Sequence, residues 1–539
     1  MNVFSLRDRL VKEYSDFVRS FLTVRDKRIR QLVEDELEQG LLWPEALVQL
    51  NPGFEMAETI DELVDQGLLH ETCRRIFRIK SEVDPDGRPL RLYRHQADAI
   101  RVARTGASYV LTSGTGSGKS LAYLVPIVDA VLREGPGKGI RAIVVYPMNA
   151  LANSQAGELR KFLELGFPDG RGPVRFRRYT GQETDAERRE IVQNPPDILL
   201  TNYVMLELIL TRPFERGLVQ AARGLRFLVL DELHTYRGRQ GSDVAMLVRR
   251  VREACEAREL QCVGTSATLA GVEDLGEQRV RIAEVATLLF GMEVHPDAVI
   301  VETLRRVTDA CDASDPAFRQ ELRRRVEDGA VPESVGAFRG DPLARWIESV
   351  LGIEEVEEVG RERRRARPRP IRGEDGLARE LARMTALPED RCAEAIERTL
   401  LAGCTLRDPE TDAPLFAFRV HQFFTRGDTV YASLEPPEHR YLTLREQQYV
   451  PGDRSRLLFP LVFCRECGQE YYAVQETRDG DGQRVYEPRD PREREEGGAY
   501  LYLAPDDDPA AVSERVPDAW LDASGQLLKE QRDRLPRTV

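Results

Sequence analysis

The residues with the most chemical content are the eight at 113–120, Ser-Gly-Thr-Gly-Ser-Gly-Lys-Ser. Gly114, Gly116 and Gly118 let the backbone turn its N–H groups inward, with no side chains in the way of a phosphate. A short apolar run, Tyr109 to Leu111, precedes them and a helical pattern opens at Ser120, so a helix N-terminus adds partial positive charge to the same spot. Lys119 is placed to reach β- and γ-phosphates and Ser120 to offer its hydroxyl to Mg²⁺, while Ser113, Thr115 and Ser117 complete the loop. The strict pattern places glycine at 113; serine keeps that position small. The expected ligand is ATP with Mg²⁺.

A second cluster narrows the chemistry. The apolar run Phe227 to Leu230 ends directly in Asp231, Glu232, Leu233 and His234. A carboxylate at a strand's carboxyl end suits a Mg²⁺ that bridges phosphates, which is the role expected of Asp231. Glu232 then lies where an attacking water needs orienting and deprotonating. Asp-Glu pairs also begin helices as caps, but here the pair closes an apolar strand. Two weaker elements flank these: Thr265-Ser-Ala-Thr268 after Cys262 and Val263, and Tyr93-Arg-His-Gln96 ahead of the loop. The Gln96 amide has a donor and an acceptor, a bidentate match for an adenine edge.

These groups need a scaffold that brings strand ends together. Between about 90 and 275, apolar runs at 109–111, 142–146, 198–200, 227–230 and 262–263 alternate with loops and helical stretches. The runs suit strands buried on both faces of a parallel sheet, so the fold class is α/β, doubly wound, with ligands at the carboxyl ends of the strands. Residues 1–88 read as a helical domain, from the spacing of Val11, Tyr14, Phe17, Val18, Phe21 and Leu22 and of Ile60, Leu63, Val64, Leu68 and Leu69. Residues 296–375 read as a charged helical insert, ending in Glu354-Glu-Val-Glu-Glu358 and in a stretch, 361–372, with seven arginines and two prolines. A solvated linker is favoured there over a nucleic-acid contact. Residues 376–434 suggest a small helical unit followed by strands, resembling a winged helix, and 435–539 a loop-rich region.

The bulk numbers set limits. A chain of 539 residues, 41% hydrophobic and 31% charged, has room for several domains with cores. No apolar run approaches the length of a membrane span, and the first residues carry charges every few positions, so export is not expected. Eight cysteines, mostly scattered singly, make no disulfide framework and fit a reducing cytoplasm. A net charge of −13 argues mildly against a general nucleic-acid coat, but says nothing against one basic groove.

In order and spacing, these segments resemble the DEAD/DEAH-box helicases of superfamily 2 over about 90–275. Gln96 is similar to the Q motif, 113–120 to motif I, and Tyr146-Pro-Met-Asn-Ala-Leu-Ala-Asn-Ser-Gln155 to motif Ia. Tyr179-Thr-Gly181 and Thr201-Asn-Tyr203 fall where two further strand-contacting motifs stand, Asp231 to His234 resembles a DExH box, and Ser266-Ala-Thr268 motif III. The resemblance implies a first RecA-like domain at 89–295. Lys119, Asp231, Glu232 and His234 are its expected catalytic residues, and Ser120 and Asp231 its metal ligands. The implied partner is nucleic acid, with DNA favoured over RNA and no membrane. His234, Ser266 and Thr268 are expected to couple hydrolysis to strand movement.

The family works between two such domains, the second supplying arginines from a Gln-x-x-Gly-Arg-x-Gly-Arg motif that these 539 residues do not contain. A second RecA-like domain is therefore expected in cis downstream or in a partner subunit, and slow hydrolysis is expected from this chain alone. A narrower likeness joins Asp231–Gly238, Phe418–Phe424 and Phe463–Tyr471 to large bacterial helicases with a cysteine-bearing region, often serving DNA repair or phage defence. Cys464 and Cys467 form half of a tetrahedral zinc site. With no second pair beside them, a degenerate remnant is favoured over bound zinc.

Overall fold

The computed structural model describes residues 2–21, 23–114, 117–267, 275–356, 362–425, 429–465, 467–478, 480, 482–492, 498–503, 520, 522, 526, 528 and 529. They gather into two compact units, each assembled from separate stretches of the chain. One comprises 51–310 and 348–366, the other 1–50, 311–347 and 367–539.

The first unit is built on a seven-stranded sheet. Its strands are β1 (Tyr109–Thr112), β2 (Ala142–Tyr146), β3 (Phe176–Arg178), β4 (Ile198–Asn202), β5 (Phe227–Leu230), β6 (Gln261–Ser266) and β7 (Val299–Val301). They lie in the order β7-β1-β6-β5-β2-β4-β3, and every pairing is parallel. Every residue of β1, β2, β5 and β6 is buried, because crossover helices cover both faces. Those helices are α1 (Arg94–Arg104), α2 (Leu121–Glu134), α3 (Asn149–Leu163), α4 (Asp185–Gln193), α5 (Tyr203–Thr211), α6 (Gly238–Ala254) and α7 (Leu275–Phe290). One continuous apolar core runs from Ile60 to Ile300. The expected doubly wound, RecA-like α/β fold is what the sheet shows.

The strands do not neighbour one another in chain order, and one of these departures builds the site. Strand β6 lies between β1 and β5, so the loop after β1 and the carboxylates after β5 are separated by a single strand. The end of β6 then stitches them: Ser113 N–H donates to Ser266 O at 3.2 Å, and Thr112 Oγ1 to Ala267 O at 3.4 Å.

The part of 296–375 beyond β7 differs from a solvated linker. Residues 353–356 (β8) and 362–365 (β9) form an antiparallel hairpin, with Glu354 opposite Arg364 and Glu355 opposite Arg363. Opposite charges facing each other across a ladder support pairing in a stretch that carries little apolar periodicity.

The second unit holds helices Val3–Ser20 and Lys27–Glu38, a helical cluster, and an antiparallel sheet. In the cluster, helices Pro316–Asp328, Leu377–Thr385 and Glu389–Thr405 bury Leu322, Leu381, Ile396 and Leu400. The 435–539 stretch contributes more sheet than its polar composition suggests: strands Asp453–Phe463, Glu470–Arg478, Arg484–Pro488 and Gly498–Leu501 pair antiparallel. Ile29 of the second helix packs into this sheet's core with Val430, Phe459, Leu461, Tyr472 and Val474. Arg440, 1% exposed, is held there by Asp26 at 2.9 Å and Glu470 at 3.1 Å, the pairing a buried guanidinium needs. Among the described residues, no helix is long and apolar enough to cross a membrane.

Candidate ATP and magnesium site

The loop after β1 is shaped around Gly118. Its φ of +66° lies in the left-handed region, and a Cβ there would stand 2.6 Å from Gln96 Nε2. Only glycine meets both conditions. Gln96 itself is buried and fully engaged. Its Oε1 accepts from Tyr93 N–H at 2.9 Å, and its Nε2 donates to Gly118 O at 2.9 Å. In this structure Gln96 therefore ties α1 to the phosphate loop, and pairing with an adenine edge requires it to exchange those bonds. His95 supports the same loop through Nε2 and Ser117 O, 3.0 Å apart; burial lowers its pKa, and the Ser117 contact opposes that shift. Ser113 and Ser117 join their hydroxyls at 2.6 Å. Thr115 and Gly116 of the loop lie outside the described residues, as does Thr268.

Lys119 and Ser120 sit where the loop enters α2. Lys119 Nζ rests 3.3 Å from Glu232 Oε1 and 3.4 Å from Ser113 O, so the ammonium is parked on the carboxylate beyond β5. Ser120 Oγ donates to Gln155 Oε1 of α3 at 2.7 Å. Gln155 belongs to the motif Ia segment, and its contact with Ser120 connects that segment to the loop in a way spacing alone does not reveal.

Across β6, Asp231 is almost wholly buried, and Thr265 Oγ1 donates to its Oδ1. Burial raises the Asp231 pKa, and the Thr265 hydrogen bond opposes that shift. A cation beside it favours the ionised form, as Lys119 does on a smaller scale. Glu232 adopts φ +54°, an uncommon backbone state for a residue with a Cβ. Backbone strain of this kind clusters at functional sites. Its N–H donates to Thr265 Oγ1 at 3.1 Å, so one threonine on β6 aligns both carboxylates. Glu232 Oε2 is buried without a hydrogen bond and lies 3.3 Å from His234 Nδ1. The same ring nitrogen stands 3.4 Å from Ala267 N and 3.5 Å from Ser266 Oγ. His234 thus stands between Glu232 and the segment after β6.

The donor set fits Mg²⁺ and a polyphosphate. Gly118 turns the loop into α2, Lys119 rests on a carboxylate it can leave for phosphate, and the Ser120 hydroxyl and the desolvated Asp231 carboxylate are oxygen ligands of the kind Mg²⁺ takes.

At and past the carboxyl ends of β2, β3 and β4 the other motif segments form a polar ledge. Asn202 Nδ2 donates to Asn149 Oδ1 at 2.7 Å and to Thr180 O at 3.1 Å, while its Oδ1 caps Met205 N–H. Asn153 Nδ2 donates to Gln182 Oε1 at 3.3 Å, and Arg178 bonds Asn153 Oδ1. The three segments predicted to touch one strand are therefore brought to one surface.

Two residues near the loop, Glu302 and Arg365, were not legible as site residues in the sequence. Gly114 N–H donates to Glu302 Oε2 at 2.7 Å across 188 positions of sequence, a separation no local motif encodes. Of the 361–372 arginines, Arg363 lies 3.8 Å from Glu55, Arg364 2.6 Å from Glu354 and Arg365 2.6 Å from Glu302. In the second unit, Cys464 and Cys467 flank a tight turn in which Gly468 N–H donates to Cys464 O at 2.9 Å. No group of three or more His, Cys, Asp and Glu side chains among the described residues is placed to hold a metal.

A parallel sheet whose first strand delivers a glycine loop and Gly-Lys-Ser, with Asp-Glu at the end of a strand two places away, is an ATP-binding domain of the RecA type. Residues 93–275 match the model of the DEAD/DEAH box helicase family. The chain is 34% identical over 190 residues to the uncharacterized ATP-dependent helicase YprA of Bacillus subtilis, covering 35% of this chain and 24% of that protein. It is 27% identical over 296 residues to the Druantia protein DruE of Escherichia coli, covering 34% of this chain and 16% of that one. The solved structure of helicase MrfA bound to DNA aligns with 24% identity and a TM-score of 0.36, over 51% of this chain and 32% of that chain. The matched region thus spans about a quarter or less of these two curated relatives.

Proposed function

We propose that this chain carries the first RecA-like half of an ATP-dependent nucleic-acid helicase, acting on DNA in preference to RNA. The observation that supports it most is the contact chain Lys119–Glu232–His234–Ala267, because it links the phosphate loop, the base and the segment after β6 within hydrogen-bonding range or slightly beyond. When phosphate arrives, Lys119 exchanges Glu232 for the β- and γ-oxygens, and the exchange frees the Glu232 carboxylate. Glu232 then orients a water against the γ-phosphate and takes its proton. Ser120 and Asp231 would hold Mg²⁺, which would supply positive charge to the phosphates. The Ser120 hydroxyl, now given to Gln155, would leave that partner, so occupancy of the loop would be felt in α3. His234 reports the state of Glu232 to Ser266 and Ala267. The amides of Asn149, Asn153, Gln182 and Asn202 on this ledge are the groups that would turn to the phosphates of one strand.

Anisotropy titration of single-stranded DNA and RNA oligonucleotides tests the reading, run without nucleotide, with ADP and with a non-hydrolysable ATP analogue. The expected result is DNA binding at least about tenfold tighter in the ATP-analogue state, a coupling of the usual allosteric size. Its salt slope is expected to be about 0.7 per phosphate contacted. Equal binding in all nucleotide states contradicts a motor or switch, and stronger RNA binding overturns the substrate preference. A nucleotide-dependent clamp without efficient turnover is the second reading.

A further inference from the structure

Beside the first glycine of the phosphate loop stands a carboxylate, which is an unexpected group for a site that admits ATP. Glu302, just past β7, accepts Gly114 N–H at 2.7 Å and is only 8% exposed. Left alone, its charge repels incoming phosphates over the same distance at which the loop attracts them. Arg365 at the end of β9 closes on it with a two-pronged contact, Nε to Oε1 at 2.6 Å and Nη2 to Oε2 at 3.1 Å. The guanidinium lies against Gly114 so closely that a Cβ there would come within 2.9 Å of it. Asn51 Oδ1 accepts from Nη1 at 3.3 Å, and the Phe54 ring centroid lies 5.5 Å from the guanidinium carbon. Two stretches distant in sequence, 51–54 and Glu302, thus fix one arginine over one loop residue.

We propose that Glu302 and Arg365 are a charge-compensated positioning pair for the nucleotide loop. Glu302 fixes the Gly114 end of the loop through its N–H. Arg365 cancels the carboxylate's charge, so that the loop is held rigid without repelling polyphosphate. The β8–β9 hairpin is then a working part of the nucleotide site, and the arginine's contribution is greatest for the ligand with most phosphate charge. This inference rests on the reading of 113–120 as an ATP loop.

The test is equilibrium binding of fluorescent ATP and ADP to the full chain and to three variants, with thermal midpoints measured alongside. Arg365→Gln uncovers the carboxylate. It is expected to weaken ATP about tenfold, the scale of one uncompensated charge at this range, and ADP by less. Arg365→Lys keeps the charge and is expected to retain most of the affinity. Arg365→Gln combined with Glu302→Gln removes both charges and is expected to return ATP affinity to within about threefold of wild type. Equal losses for ATP and ADP, or a double variant no better than Arg365→Gln, overturn the pair as a charge device. So does Arg365→Gln binding ATP like wild type. A wild-type chain that binds neither nucleotide overturns the ATP-loop reading as well, which separates the two failures.

Discussion

Glu232→Gln binds Mg·ATP as tightly as the wild-type chain and hydrolyses it about 10²–10⁴ times more slowly, the range a positioned general base contributes. The amide is nearly isosteric with the carboxylate and adopts the same left-handed backbone with similar ease, so φ +54° is preserved. The N–H contact to Thr265 Oγ1 is a backbone contact and survives the change. What is lost is a group able to take a proton from water. The ion pair with Lys119 at 3.3 Å also weakens, and this frees the ammonium for phosphate instead of harming binding. Single-turnover hydrolysis of radiolabelled ATP, with binding measured separately, checks both halves. An unchanged hydrolysis rate removes Glu232 from the role of base.

The second large effect concerns charge that these residues do not supply. Turnover by the 539-residue chain is expected to be slow, and to rise by about 10³–10⁵ when a second RecA-like domain presents its arginines to the γ-phosphate. Arg365 does not substitute, because its guanidinium is already neutralised by Glu302 at the Gly114 end of the loop. Steady-state ATPase with and without an added second domain, and with that domain's arginines replaced by alanine, measures the effect. Brisk DNA-stimulated hydrolysis by this chain alone contradicts it.

The legible and illegible parts of the molecule divide along physical lines. Strands β1, β2, β4, β5 and β6 stand out in the sequence because burial on both faces demands uninterrupted apolar runs such as Ile143, Val144 and Val145. Lys119, Asp231 and Glu232 stand out because each closes or opens an element whose type the neighbouring residues declare. Strands β8 and β9 are rich in glutamate and arginine, with Glu354 paired to Arg364 across the ladder, and those residue types read as a solvated linker when the partner strand is not known. Strands in 453–501 bury only short runs such as Leu458–Leu461 and Tyr472–Val474 and carry exposed or half-buried Arg, Glu and Asp around them, so composition alone resembles loop. The N-terminal stretch divides between the two units near residue 50, with short strands at Leu47–Asn51, Gly53–Phe54 and Met56–Thr59 that are too brief for any period to show. Gln96 was legible as a site residue, but its engagement with Tyr93 and Gly118 was not, since no spacing rule reports which partners an amide has already taken.

The account stands on the claim that 113–120 grips the phosphates of ATP through Lys119. The most direct measurement is equilibrium titration of Mg·ATP into the wild-type chain and into Lys119→Ala. The ammonium's hydrogen bonds to phosphate are charge-assisted, and their loss is expected to weaken binding about 10–100-fold with the fold intact by circular dichroism. Equal affinity in the two proteins, with saturable ATP binding in both, would place the nucleotide elsewhere and contradict the account.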